Sequence, residues 1–445
     1  MTTARDELST AAGSVGDVDT RARGTALSTV LTETFVARAA LALVAVHVAD
    51  DNFVQPQPGT GAGDHLVSGL VPLAVLALVA FAYPRLRAGL RATLALLLGG
   101  FGVVTGIEAV YYTSKGKISG DDFTGLLAIA SGVLLVGIGI VTLWRTRRRD
   151  DSRARRYLRR LLLAVGAVAA LYVLVLPFYV SYVFTHVARG FVPPPELGAA
   201  HEDVSFTTSD GLQLEGWYVP SKNRAAVVAF PGRRGPQRQT RMLVRHGYGV
   251  LLFDRRGEGE SEGDPNIFGW QGERDVNAAV EYLRSRQDVD PNRIGGLGLS
   301  VGGEMMIEAA AESDGLQALV SEGAGVRSIR EALAMDGSIG MKWFGGVLVH
   351  AVVTPGVALF ANDLPPPSLE DLAPRIAPRP VLFVYATPGQ GGEAELNEVF
   401  YDAAREPKEI WEVPKGSHTG GIEAEPEEYE RRVVGFFDRA LLGER

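Results

Sequence analysis

Cysteine is absent from all 445 residues. That excludes disulfides, a cysteine nucleophile and thiolate metal sites. It leaves export open, because a domain of about 250 residues buries enough core without covalent staples. Histidine is scarce, with 7 residues, so chemistry that needs an imidazole has few candidates. A basic surplus is missing as well. The formal net charge is −8, and beyond His186 acidic residues outnumber basic ones 39 to 26. Nothing in that acidic part invites nucleic acid. The first 186 residues differ in character, with 18 basic against 13 acidic residues.

That first part holds apolar runs in series, at 35–49, 66–83, 93–112, 123–144 and 161–184. A bilayer core asks for about 20 residues of helix, and the last four runs fit. The first is short, with Arg38 placed to snorkel to the interface. The pattern predicts a cytoplasmic tail at 1–34 and an all-α transmembrane bundle at 35–186, of five helices or alternatively four. A cleavable signal peptide is not expected, because the first run lies far from Met1 and lacks a small-residue cleavage pattern. The basic segments "PRLRAGLR" and "RTRRRDDSRARRYLRR" read as cytoplasmic, and the acidic or balanced segments between the runs as external. The run at 161–184 starts from an arginine cluster, so everything after His186 is expected outside the cytoplasm of a multi-pass membrane protein. His47 and Glu108, near outer ends of their runs, are expected to reach interfacial water. Gly102 and Gly106 form a GxxxG that suits close helix packing.

A proline-rich linker at 187–200 leads into a second region at 201–445, where the periodicity changes. "VSFTTSDGLQLEGWYV" carries a hairpin signal. Short continuous apolar runs then alternate with helical patterns, at 225–230, 249–254, 293–299, 316–322, 380–386 and 408–414. Such alternation implies a mostly parallel α/β sheet covered on both faces, with ligands bound at the carboxyl ends of the strands. One stretch, 339–361, is long and apolar enough to cross a bilayer. A crossing there would part the strands before it from those after it, so 326–373 is read as a helical cap inserted over the site.

"GLGLSVGG" places Ser300 between glycines. In a chain with 53 glycines, G-x-S-x-G arises by chance roughly 0.3 times, so context must decide. The context fits: an apolar strand precedes Ser300 and a helical pattern follows. A serine on that sharp turn projects its hydroxyl above the sheet, and side chains two positions to either side would collide, hence Gly298 and Gly302.

With "FPGRRG", "DRRGEGESEG" and "PKGSHTGG" added, the region from about Val204 to Leu442 resembles the α/β-hydrolase superfamily, in its serine esterase and S33 peptidase-like branch. The resemblance implies Ser300 as nucleophile and His418, in the loop after the last strand, as general base. It implies an oxyanion hole made by the backbone amides of Val301 and of Arg233, with Pro231 where the family usually has histidine. The family's common aspartate is missing from "ATPGQGGEAELNEVF", so Glu393 is the expected acid and Glu322, at the end of the preceding strand, the alternative. Arg255 and Arg256 are expected to tie loops by ion pairs. Arg233 and Arg234 could attract an anionic substrate or simply be solvated. The reading is a membrane-anchored serine hydrolase, with carboxylic ester hydrolysis favoured over peptidase, thioesterase or acyltransferase activity. Its substrate is a small-molecule or lipid-like acyl compound, and it needs no metal or organic cofactor. A non-catalytic sensor or scaffold, and a transporter centred on the bundle, are the rivals from other classes.

Overall fold

The structure is a computed structural model that describes residues 32–116, 119–145, 153–170, 175–334, 341–387, 389 and 392–443. Most of the expected N-terminal tail, part of the arginine cluster and residues 335–340 of the expected cap lie outside the described residues. The chain divides into two compact units. One comprises the described parts of Met1–Gln55 and Gly69–Ala164; the other comprises Pro56–Ser68 and Val165–Arg445.

The first unit is helical: α1 (Thr32–Val54), α2 (Leu66–Ala82), α3 (Ala88–Thr105), α4 (Ile107–Ser114), α5 (Gly120–Arg145) and the start of α6 (Arg153–Ala170). Four helices are long and apolar enough to cross a membrane: Thr32–Val54, Leu66–Arg85, Ala88–Ser114 and Gly120–Arg145. The first run, short by sequence, is thus part of a 23-residue helix. The run at 161–184 falls on α6 and α7 (Leu176–Thr185), and residues 171–174 between them are outside the described set. Helices α3 and α5 approach closely through glycine. A Cβ on Gly106 would lie 2.3 Å from the Gly125 carbonyl oxygen, and one on Gly99 2.7 Å from that of Gly132. His47 departs from expectation. It is buried, with Nε2 3.0 Å from the Thr105 carbonyl oxygen and Nδ1 3.2 Å from Thr124 Oγ1, because the neighbouring helices offer the partners that water would otherwise supply.

In the second unit the strands are β1 (Glu202–Thr207), β2 (Gln213–Val219), β3 (Ala226–Phe230), β4 (Gly249–Phe253), β5 (Ile294–Leu299), β6 (Ala318–Glu322), β7 (Val381–Thr387) and β8 (Lys408–Pro414). They form one sheet in the order β1-β2-β4-β3-β5-β6-β7-β8. β2 runs antiparallel to both its neighbours, and every other pairing is parallel. Sequence and position agree strand by strand. The continuous apolar runs β3 to β6 are buried at every residue. The edge strands β1 and β8 alternate, as one-sided burial requires.

Adjacent side chains on β3 serve opposite faces. Ala226, Val228 and Phe230 join a core with α9 (Gly272–Arg284), α10 (Val301–Glu312) and α14 (Glu393–Ala403); Val227 and Ala229 join another with α8 (Gln237–Arg245) and α16 (Pro426–Phe437). Short α15 (Gly421–Ala424) precedes α16. Between β6 and β7 lie α11 (Ile329–Ala334), α12 (Met341–Phe360) and α13 (Leu369–Leu372). Helix α12 packs along α7: the Ser181 hydroxyl donates to the Val353 carbonyl at 3.0 Å, and Phe360 meets the rings of Phe178 and Tyr182 edge-on.

Arg256 ties the loop after β4 to its surroundings, as its sequence context suggests. Its amide and Nε donate to Asp275 on α9, each at 2.9 Å, and Nη1 donates to Asp210 in the β1–β2 turn at 2.9 Å. Asp275 has no solvent exposure, and removing one partner of a buried pair strands the other's charge. Asp275→Ala is therefore expected to cost about 3–5 kcal/mol. Thermal unfolding of the purified chain checks this: a midpoint equal to wild type would show that the pair carries no stability.

Candidate active site

Ser300 sits between β5 and α10 with φ 54° and ψ −126°, a region that non-glycine residues rarely occupy. Its neighbours over-determine the bend. The Ser300 amide donates to the Glu322 carbonyl at 2.8 Å, and its own carbonyl accepts from Gly303 at 2.8 Å. A Cβ on Gly298 would stand 2.3 Å from the Gly302 oxygen, and one on Gly302 2.6 Å from the Phe230 oxygen. Only glycine lets β3, β5 and α10 come this close.

His418 lies in the loop after β8, between Lys415 and Thr419, both at positive φ. Its Nδ1 is 2.7 Å from Glu393 Oε2 and its Nε2 is 2.9 Å from Ser300 Oγ. An ionised carboxylate only accepts, so Nδ1 carries the proton and donates it; Nε2 is left to accept from the serine hydroxyl. Glu393 is 2 % exposed and its Oε1 accepts the Ala386 amide at 2.9 Å. It is the first residue of α14, where the sequence suggested a loop with Glu395 opening the helix. The hydrogen bond to Glu393, opposed by partial burial, holds the His418 imidazole above its ordinary pKa.

Glu322, the alternative acid, does not reach His418. Its carboxylate accepts the Gly421 amide at 2.9 Å and the Tyr429 hydroxyl at 2.7 Å. Burial pushes it up to about 7. Its place is beneath the histidine loop, clamping the chain that follows His418. Nothing in the sequence signalled this partnership except a lone acid at the end of an apolar strand.

The two amides expected to form an oxyanion hole differ in their surroundings. The Val301 amide, at the start of α10, makes no backbone hydrogen bond among the described residues. The Arg233 amide is instead engaged: it donates to Asp254 Oδ1 at 2.9 Å. The expectation of a free donor there is corrected by Asp254, the first residue of "DRRGEGESEG", whose carboxylate was not read as a partner of this loop.

Ser300 opens into a cavity of about 550 Å³ lined by Pro193, Glu196, Arg234, Arg238 and Thr419 among others. Among the described residues its wall comes from the linker, the segment after β3, the end of β5 and the loop after β8. A second cavity of about 600 Å³ adjoins it, walled by Val187, Phe191, Val192 and Ile267. Among the described residues, no set of three or more His, Asp and Glu side chains is placed to hold a metal ion.

A family model described as X-Pro dipeptidyl-peptidase (S15 family) matches residues 196–354. The uncharacterized protein Rv2307c of Mycobacterium tuberculosis is 33% identical over 242 residues, which cover 53% of this chain and 76% of that one. The uncharacterized protein YfhR of Salmonella typhi is 28% identical over 255 residues, covering 55% and 83%. Among solved structures, the esterase Pf2001 of Pyrococcus furiosus is similar at a TM-score of 0.46 and 24% identity, covering 58% of this chain and 99% of that one.

Glu393→Gln keeps the side chain's shape and removes the charge that favours a protonated imidazole. The His418 pKa is therefore expected to move down, toward or below its ordinary value. Titration of labelled histidine by NMR reads the shift directly; a His418 curve identical to wild type would show that Glu393 does not set it.

Proposed function

We propose that the chain is a member of the α/β-hydrolase superfamily, a membrane-anchored serine hydrolase that cleaves carboxylic esters through an acyl-enzyme at Ser300. The observation that carries this reading is the file of hydrogen bonds from Ser300 Oγ through His418 to the buried Glu393.

In the mechanism, Ser300 Oγ attacks the ester carbonyl while His418 Nε2 takes its proton. Glu393 stabilises the imidazolium that results. Negative charge builds on the former carbonyl oxygen, where the Val301 amide and the positive end of α10 oppose it; one such donor contributes about 3 kcal/mol to the transition state. Collapse of the tetrahedral species breaks the bond to the alcohol, which leaves with the proton from His418. Water then attacks the acyl-serine with His418 again as base, and the carboxylic acid departs. The apolar wall beside the Ser300 cavity suits a lipid-like acyl chain. The S15 family match favours a second reading, attack on an amide bond by the same residues.

The apolar helices of the first unit anchor the enzyme in the cell membrane, and the arginines at 145–160 retain the cytoplasmic end of the last crossing. With the run at 161–184 as a fifth crossing, the hydrolase domain faces outward.

A fluorophosphonate probe is expected to label the wild-type chain and to leave Ser300→Ala unlabelled, with ester turnover down by about 10⁴-fold or more. Labelling that persists in the variant would reject Ser300; absence of labelling in folded wild type would favour a scaffold. Turnover by wild type should rise with pH through the elevated His418 pKa, since the base must be neutral to accept a proton. Orientation has its own check. Protease added to intact cells should cut the C-terminal domain, and full protection there alongside cleavage in lysed cells would reverse it.

A further inference from the structure

The two arginines after Gly232 have opposite surroundings. Arg233 is buried, and its guanidinium donates to Asp254 Oδ2 from Nε at 2.8 Å and from Nη2 at 2.6 Å, with Glu260 accepting at 2.8 Å. Arg234 is exposed and makes no hydrogen bond or ion pair among the described residues. It lines both cavities, that of Ser300 and its apolar neighbour.

Charge matching around those cavities isolates it further. Four carboxylates line them, those of Glu196, Asp254, Glu258 and Glu423. Each already has a partner. Asp254 is taken by Arg233, Glu258 by Arg255, Glu196 by Arg241 at 3.6 Å and Glu423 by Arg238 at 2.8 Å. Arg234 is the cation of the lining left without a counter-charge. A guanidinium offers five donors in a planar fork that matches a carboxylate or a phosphate. At the wall of a partly enclosed cavity it is less screened than on an open surface.

We infer that Arg234 binds an anionic group, a carboxylate or a phosphate, on the acyl substrate that Ser300 attacks, so that the enzyme prefers anionic esters to neutral ones. This inference rests on the serine-hydrolase reading of Ser300. The neighbouring pairs sharpen the choice: Arg233 is committed to holding its loop, whereas Arg234 gives up no protein contact to meet a ligand.

The test uses the purified full chain in uncharged detergent and two esters of similar length, 4-nitrophenyl butyrate and the mono-4-nitrophenyl ester of glutaric acid. The readout is the ratio of kcat/KM for the anionic ester to that for the neutral one. Arg234→Ala is expected to lower this ratio about tenfold, mainly through KM. Arg234→Glu lowers it further, Arg234→Lys restores part of it, and added salt shrinks the wild-type preference. A ratio equal to wild type in Arg234→Ala and Arg234→Glu, even if both esters slow together, overturns the inference. Ser300→Ala serves as the separate control on the parent reading, since turnover of both esters surviving in it rejects that reading instead. A turnover-free arm measures heat stabilisation by glutaramate, an unreactive monoanion. It should appear in wild type and Ser300→Ala and vanish in Arg234→Ala; its absence from wild type counts against Arg234.

Discussion

The backbone of Ser300 is the constraint on which the site depends. At φ 54° and ψ −126° it turns the hydroxyl out of the sheet and into the reach of His418. A residue held so costs about 1–3 kcal/mol, and the surrounding framework supplies the restraint. β5 is paired on both sides, with β3 and β6, and is buried along its whole length. Its partner β6 also supplies the Glu322 carbonyl, which accepts from the Ser300 amide. Relaxing the serine would therefore mean separating central strands. The same bend starts α10, so the geometry that exposes the Ser300 hydroxyl also leaves the Val301 amide without a backbone acceptor.

Glu322 links the two halves of the site. Its main chain holds Ser300 and its side chain holds Gly421 and Tyr429, just beyond His418. Ser300 and His418 are thus referenced to one residue at the end of one strand. The carboxyl group that serves this purpose is as buried as Glu393, yet it works on the loop's backbone rather than on the imidazole. Two acids of similar burial acquire different tasks from the donors that reach them first.

That division explains what could be read in advance. Ser300 and His418 stand out locally, one by flanking glycines that backbone contact demands, the other as one of few histidines and in a loop after the last strand. Central and edge strands were legible from continuous versus alternating apolar residues. The acid was less so. Glu393 and Glu322 both end near the tops of strands, and what separates them is a contact between Glu322 and Tyr429, 107 positions apart in the chain. The Arg233 amide failed as an expectation for the same kind of reason: Asp254, 21 positions on, competes for it, and a motif read one segment at a time does not show competition between segments. His47 was placed at water by its position along a run, whereas partners on α3 and α5 decide its surroundings.

The apolar stretch at 339–361 shows topology overruling hydropathy. Helix α12 has 20 residues, about 30 Å of rise, enough to cross a bilayer. Yet Leu319 to Glu322 of β6, before it, pair in register with Val381 to Val384 of β7, after it. Strands in one ladder lie on one side of a membrane, so the chain entering and leaving this insertion must do so on the same side. Described side chains of its second half meet protein. Val353 and Val357 pack with Trp270, and Phe360 packs against rings of α7. A run of this composition is therefore a span only when the strands on either side of it do not share a ladder, and here they share one.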